Sequence, residues 1–268
     1  MIVGNEKKII AELAGRWADK YQDDHLRKRE FFKEILMNNP LKGCGYFLHH
    51  SFARAGAERA RYGEKAANAL ENVSKQKGYP NLMKRRDASE IVWNEFEALC
   101  KADNKEPYSD MNRGVIEGII SLVQQSEDFN PFKHLINMLP DKVLDAYTEI
   151  MKIKGIGKKI ADMLLRDMVT ILGIDDKSLP LHNQVFLQPI DRWVKEISLV
   201  VFFDGWKPTD VKKVTKHDWL IASVIVERCL NHGYSPSRFN QGAWKYGSSE
   251  IKNVNKTPDY IQKLNHEH

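Results

Sequence analysis

The sequence predicts an all-α protein, and three observations carry that prediction. Apolar residues recur at three- and four-residue spacing, as at Ile9, Ile10, Leu13 and Trp17, which is the helical rather than the strand period. Clean two-residue alternation hardly occurs. Prolines fall where helices open, at Asn130-Pro131, Pro140-Asp141, Ser235-Pro236 and Thr257-Pro258, the position where a missing N–H costs nothing.

The elements follow in order. A first amphipathic helix is expected over 5–20, and FFKEILM at 31–37 ends a second one before Asn38-Asn39-Pro40. An Ala/Arg/Glu-rich stretch from Gly45 to about Leu70 reads as one helix, and another runs from Asp87 to about Lys101 behind Lys84-Arg85-Arg86. After the turn-rich NKEPYSD a helix covers 111–125. Helices opened by Pro131 and Pro140 come next, the second expected to bury Val143, Leu144, Tyr147, Ile150 and Met151 on one face. IADMLLRDMVTIL forms the next helix and Gly173 closes it. Residues 174–190 read as a long loop, and 191–197 as a short helix. LVVFF at 199–203 is open between strand and buried helix. The chain ends on helices from 215 or 216 to Leu230, from Ser235-Pro236 through Tyr246, and from Thr257-Pro258.

Composition excludes several classes. The chain has 268 residues, 42% of them hydrophobic, which is too apolar for a disordered protein. LVVFF is far short of the roughly 20 apolar residues a bilayer span needs, so no membrane partner is expected. Cys44, Cys100 and Cys229 form no CxxC pair, which argues against a disulfide framework, a structural zinc site and a four-cysteine iron–sulfur cluster. A reducing, intracellular setting is expected. A net charge of +5 alone says little about partners, so the position of the charge matters more.

The sharpest local feature is Met151-Lys-Ile-Lys-Gly-Ile-Gly-Lys-Lys-Ile160, between two amphipathic helices. Gly155 and Gly157 bracket Ile156 and permit a tight turn. Lys152, Lys154, Lys158 and Lys159 add charge, with no acidic residue in that decapeptide. A helix starting after Gly157 aims N–H groups outward, toward a phosphate backbone. Its plain alternative is a helix–helix turn with solvated lysines. Farther on, Gln188-Pro-Ile-Asp-Arg-Trp-Val194 places Asp191 at the start of a short helix; alone, that reads as an N-cap.

Taken together, these segments resemble the helix-hairpin-helix (HhH-GPD) DNA glycosylase/AP lyase superfamily. The longer gap between lysine and aspartate resembles its archaeal 8-oxoguanine DNA glycosylase branch, as do Ser237-Arg-Phe-Asn-Gln-Gly-Ala-Trp-Lys-Tyr-Gly247 and Ser51-Phe-Ala-Arg-Ala-Gly56. The resemblance implies two helical subdomains with an active-site cleft between them and no iron–sulfur cluster. It places the hairpin-bearing subdomain at about 75–190 and the second at about 1–74 plus 191–268, within a single unit over 1–268. It makes Lys159 the nucleophile and Asp191 its partner in catalysis. DNA contact falls to Lys154, Gly155, Ile156, Gly157 and Lys158. The base pocket falls to Trp244, Asn240 and Gln22, and a monovalent cation (Na+ or K+) to the main-chain carbonyls of Met151, Ile153 and Ile156, with no other cofactor required. The partner implied is duplex DNA with a damaged or modified base, 8-oxoguanine first among them, bound by a monomer in the cytoplasm at the nucleoid. Asn240 stands where those relatives carry aspartate, which leaves the excised base open. A non-catalytic, structure-specific DNA-binding protein and a glycosylase for another modified base are the alternatives.

Overall fold

The computed structural model describes residues 6–26, 29–52, 57–203, 218–251 and 253–266, and every regular element within them is helical. The chain divides into two units, one of residues 30–164 and one of residues 1–29 with 165–268. These boundaries lie earlier in the chain than the sequence-based 75 and 190. The difference arises because α4 (Pro40–Ser51) packs along α5 (Ala57–Lys77), and α5 along α7 (Ala88–Ala102), so 40–77 share a core with the segment that follows.

In the unit of residues 30–164, α3 (Arg29–Asn38) ends at Asn39, whose side chain accepts the Lys42 amide at 3.1 Å and caps α4. Pro40 therefore both stops one helix and opens the next. The single helix expected from Gly45 to Leu70 is two, α4 and α5; residues 53–56 lie outside the described residues. After the short α6 (Tyr79–Met83), α7 and α8 (Ser109–Gln125) complete the packing around Phe47, Phe96 and Phe132. Phe132 belongs to α9 (Pro131–Ile136), which Asn130 caps through the Phe132 amide at 2.9 Å.

Pro140 does not open a helix. It follows a cis peptide bond in a turn, and α10 begins at Val143 and ends at Met151. Val143, Ala146 and Ile150 form its buried face, whereas Leu144 (47% exposed) and Met151 (37%) face solvent. The expected apolar face is thus two adjacent stripes, offset by the helical 100° step, and only one of them packs.

The other unit opens with α1 (Glu6–Glu12), a wide turn over Leu13–Trp17, and α2 (Ala18–His25). Gly15 breaks the first helix there (φ −92°, ψ −109°). α11 (Lys158–Leu172) closes at Gly173 with φ 70°, as the sequence predicts. The expected loop at 174–190 contains a tight turn at Asp176–Ser178 and α12 (Leu181–Val185). LVVFF is helical, part of α13 (Arg192–Phe202). The start expected at 215 or 216 lies outside the described residues; α14 (Asp218–Asn231), α15 (Pro236–Glu250) and α16 (Thr257–His266) finish the chain. Their core gathers Ile9, Leu13, Ile197, Ile221, Phe239 and Ile261. α15 lies so close to the Leu13–Trp17 turn that a Cβ at Gly242 would stand 1.8 Å from the Leu13 carbonyl oxygen. No described helix is long and apolar enough to cross a membrane.

Candidate functional site

The hairpin between α10 and α11 is built from two short turns. Ile153 N–H donates to the Ile150 carbonyl at 3.1 Å, and Ile156 N–H to the Ile153 carbonyl at 3.0 Å. Gly155 adopts φ 92°, a left-handed conformation that strains any residue with a Cβ. Ile153 and Ile156 are buried and anchor the turn. The hairpin seats on two glycines one helical turn apart in α8: a Cβ at Gly118 would lie 2.7 Å from Ile153 Cγ2, and one at Gly114 would lie 2.9 Å from the Lys154 stem.

Gly157 is different. Its φ is not left-handed and nothing lies within 4 Å of where its Cβ would be. Its carbonyl accepts the Ile160 and Ala161 amides at 2.9 and 3.1 Å, making it the residue from which α11 starts. Among the described residues the amides of Lys158 and Lys159 reach no acceptor, as the first turn of a helix dictates.

The four hairpin lysines are not equivalent. Lys152 pairs with Glu149 at 2.5 Å, and Lys158 with the buried Asp162 at 2.6 Å, so acids just outside the decapeptide neutralise two of them. The side chain of half-buried Lys159 forms no ion pair or hydrogen bond among the described residues. Lys154 is exposed, its stem lying on Gly114.

Asp191 caps α13, its Oδ1 accepting the Val194 amide at 2.9 Å from an extended backbone. Lys159 and Asp191 belong to different units.

Gln22, Asn240 and Trp244 fall in one unit, in a cluster of α2, α11 and α15 that the sequence reading did not anticipate as a whole. Its centre is Arg166, 2% exposed, which donates to Asp167 at 2.9 Å, to the Tyr21 hydroxyl at 2.5 Å and to Asn240 Oδ1 at 2.8 Å. The Tyr21 hydroxyl donates to Asp167 at 2.9 Å. Burial raises the Tyr21 pKa well above its ordinary value; Arg166 opposes that and Asp167 adds to it. Gln241 donates to Thr170 at 3.0 Å and receives the Gln22 amide at 2.7 Å. Every member of the Arg166–Asp167 pair's shell is polar and buried, the condition under which an interior ion pair is tolerated.

This arrangement changes what the pocket residues can do. Asn240 is wholly buried, its oxygen committed to Arg166 and its amide to the Pro189 carbonyl at 3.3 Å, so it has little left with which to read a base edge. Gln22 Oε1 is buried and accepts no hydrogen bond among the described residues, and Gln22 lines a cavity of about 380 Å³ with Asp176 and Ser237. Trp244 is half-buried, edge-on to Tyr21 (5.7 Å) and His25 (5.2 Å). Desolvation lowers the His25 pKa, with Lys245 adding to the effect.

At the proposed cation site, the Ile153 carbonyl already accepts the Ile156 amide, while those of Met151 and Ile156 accept no main-chain amide among the described residues. That leaves oxygen lone pairs for a hard monovalent ion. Cys44, Cys100 and Cys229 are buried and free. Comparison of the chain with protein-family models, curated proteins and solved structures finds no match in any of the three.

Proposed function

We propose that the protein is a base-excision DNA glycosylase with AP lyase activity, acting on duplex DNA through the hairpin at 151–160. The observation that carries this reading is Gly157. Its own fold gives it no steric or conformational reason to be glycine, yet it stands beside two amides without acceptors and one unpaired ammonium. A glycine that nothing inside the chain requires is accounted for by something outside it, a phosphate approaching the backbone closely. Gly155 and the buried Ile153 and Ile156 hold the turn; Lys154, Lys158 and the main chain at Gly157 grip the strand without reading its sequence.

The flipped nucleotide presents C1′ to Lys159. The neutral amine attacks C1′, the bond to the base breaks, and the base departs with the electron pair and a proton. Asp191 receives the amine's proton, hands that same proton to the departing base, and stabilises positive charge on the sugar. The resulting Schiff base eliminates the 3′ phosphate and nicks the strand. Trp244 provides the face on which a base stacks, and 8-oxoguanine is the first substrate to test. The main-chain carbonyls of Met151, Ile153 and Ile156 would hold a monovalent cation, which would supply local positive charge for a DNA phosphate.

A non-catalytic hairpin protein is the second reading, favoured by one observation: the Asp191 carboxylate is already engaged as a helix cap. Borohydride trapping decides between them. On duplexes carrying 8-oxoguanine, uracil, thymine glycol or an AP site, the protein is expected to form a covalent adduct that Lys159→Ala abolishes. Tight duplex binding with no adduct and no base release on any of these would establish the second reading.

A further inference from the structure

Within the unit of residues 30–164, α5, the start of α8 and the loop before it line a cavity of about 490 Å³. Buried Phe52 and Tyr62 belong to its lining. The loop is held from both sides. The Tyr62 hydroxyl of α5 donates to the Glu106 carbonyl at 2.7 Å, and Asn112 Nδ2 of α8 donates to the Pro107 carbonyl at 2.8 Å. Lys65 and Asp103 pair with each other, which leaves neither charge idle. So pinned, the loop sets the Tyr108 ring edge-on to Tyr62 at 5.8 Å.

Tyr108 is poorly explained by folding alone. Its backbone is left-handed (φ 49°, ψ 60°), a conformation that costs energy for a residue with a bulky side chain. It stands at the N-cap of α8, where a short polar side chain would accept an amide, and makes no such bond. Its ring is 59% exposed, so burial returns little of that cost. Met111, one turn on in the same lining, is 46% exposed. Asn112 is only 5% exposed; its Oδ1 accepts no hydrogen bond among the described residues and stays open to solvent. The Arg61 side chain, also in the lining, forms no ion pair or hydrogen bond among them. An exposed ring, a thioether, a free planar guanidinium and an open carboxamide oxygen suit one ligand chemistry: a flat heterocycle with apolar faces and an N–H on its edge. The position agrees. Met111 shares a face of α8 with Gly114 and Gly118, on which Lys154 and Ile153 of the hairpin are seated.

We propose that this cavity is a nucleobase-binding site, in which the Tyr108 ring stacks on the base and Asn112 Oδ1 accepts a hydrogen bond from its edge. The base is either that of a free nucleotide or an unpaired base of a strand that reaches past the hairpin. The site is separate from Trp244, which belongs to the other unit, and does not depend on glycosylase activity.

The test follows the methionine methyl resonances of the full chain, labelled with carbon-13, by NMR. There are eight methionines, so Met111→Leu assigns its signal by disappearance. The probes are adenosine 5′-monophosphate, guanosine 5′-monophosphate and a single-stranded DNA octamer, with ribose 5-phosphate as the control that lacks a base. The Met111 methyl is expected to shift saturably with a base-bearing probe, through the ring current of the stacked base, and not with ribose 5-phosphate. Tyr108→Gly should melt no lower than the parent, since glycine adopts this backbone without strain. It should weaken binding by about tenfold or more, the usual worth of one base–aromatic stack. Arg61→Glu, an exposed change, should weaken binding as well and provides a second variant. A response to the mononucleotides assigns the site to a free nucleotide, and a response to the octamer alone assigns it to a strand; either upholds the site. No saturable shift with any base-bearing probe, an equal shift with ribose 5-phosphate, or a response that both variants leave unchanged overturns it. The glycosylase reading fails on different grounds, through absence of an adduct at Lys159.

Discussion

Arg166 donates from Nη1 to Oδ1 of Asn240 at 2.8 Å, joining α11 to α15 inside one unit. The position that a resemblance marks for reading a base is therefore held by a buried guanidinium. Asn240→Ala is expected to strand that N–H and to lower stability by about 1–3 kcal/mol, the usual cost of leaving a buried donor unmet. Chemical denaturation measures it. A change under about 0.5 kcal/mol would show the bond to be dispensable.

Adjacent lysines in the hairpin should behave oppositely. Lys158 neutralises Asp162, a carboxylate only 1% exposed. Lys158→Ala leaves that charge buried, so the variant should lose stability by about 1–3 kcal/mol yet still form the borohydride adduct. Lys159→Ala removes no ion pair and should retain its denaturation midpoint while losing the adduct. Side-by-side melting and trapping of the two proteins tests both halves.

Two glycines separate folding from function. Gly242→Ala forces a Cβ to 1.8 Å from the Leu13 carbonyl, and helix α15 has to move. That variant is expected to unfold or to lose more than about 3 kcal/mol. Gly157→Ala meets open space, so its stability should change by less than about 1 kcal/mol, the loss of a modest cap. On the proposed reading its affinity for duplex DNA should fall, because the new methyl would stand where the hairpin is proposed to receive a phosphate. Gel-shift titration of a variant that melts like the parent provides the measurement.

Glu196 is buried on α13, its Oε2 has no hydrogen-bond partner among the described residues, and desolvation pushes its carboxyl up to about 7 against the pull of Arg192 and Lys195. The folded state then holds a proton that the unfolded chain releases near its ordinary ~4.3. This group's contribution to stability is present below that unfolded value and is lost as pH rises toward 7. Glu196→Gln should flatten this part of the pH dependence and raise stability at pH 8 relative to the parent. Denaturation midpoints of both proteins at pH 5 and pH 8 check the sign.

Local chemistry was legible and distant packing was not. Asn130-Pro131 and Ser235-Pro236 announce their helices because capping oxygen and proline sit within one turn. Pro140 misleads, since the same proline serves a turn as well as a helix start. LVVFF carries no period, and only its place in α13 decides it. The hairpin was visible because its glycines and lysines are contiguous. Arg166 lies 2.5 Å from the Tyr21 hydroxyl across a sequence separation of 145, and nothing near either residue announces the other. Leu144 and Met151 show the converse limit: apolar character fixes a stripe, but a partner helix decides which stripe is covered.

The glycines of the hairpin and of α8 beneath it also define two kinds of constraint. A library passed through a screen for folded protein alone should keep glycine at 114, 118 and 155, where neighbours or a left-handed backbone enforce it, and should drift freely at 157. The same library passed through a screen for DNA engagement should fix glycine at 157 as well. Subtracting one substitution map from the other would isolate, without any substrate in hand, the backbone positions that the proposed DNA contact requires and folding does not.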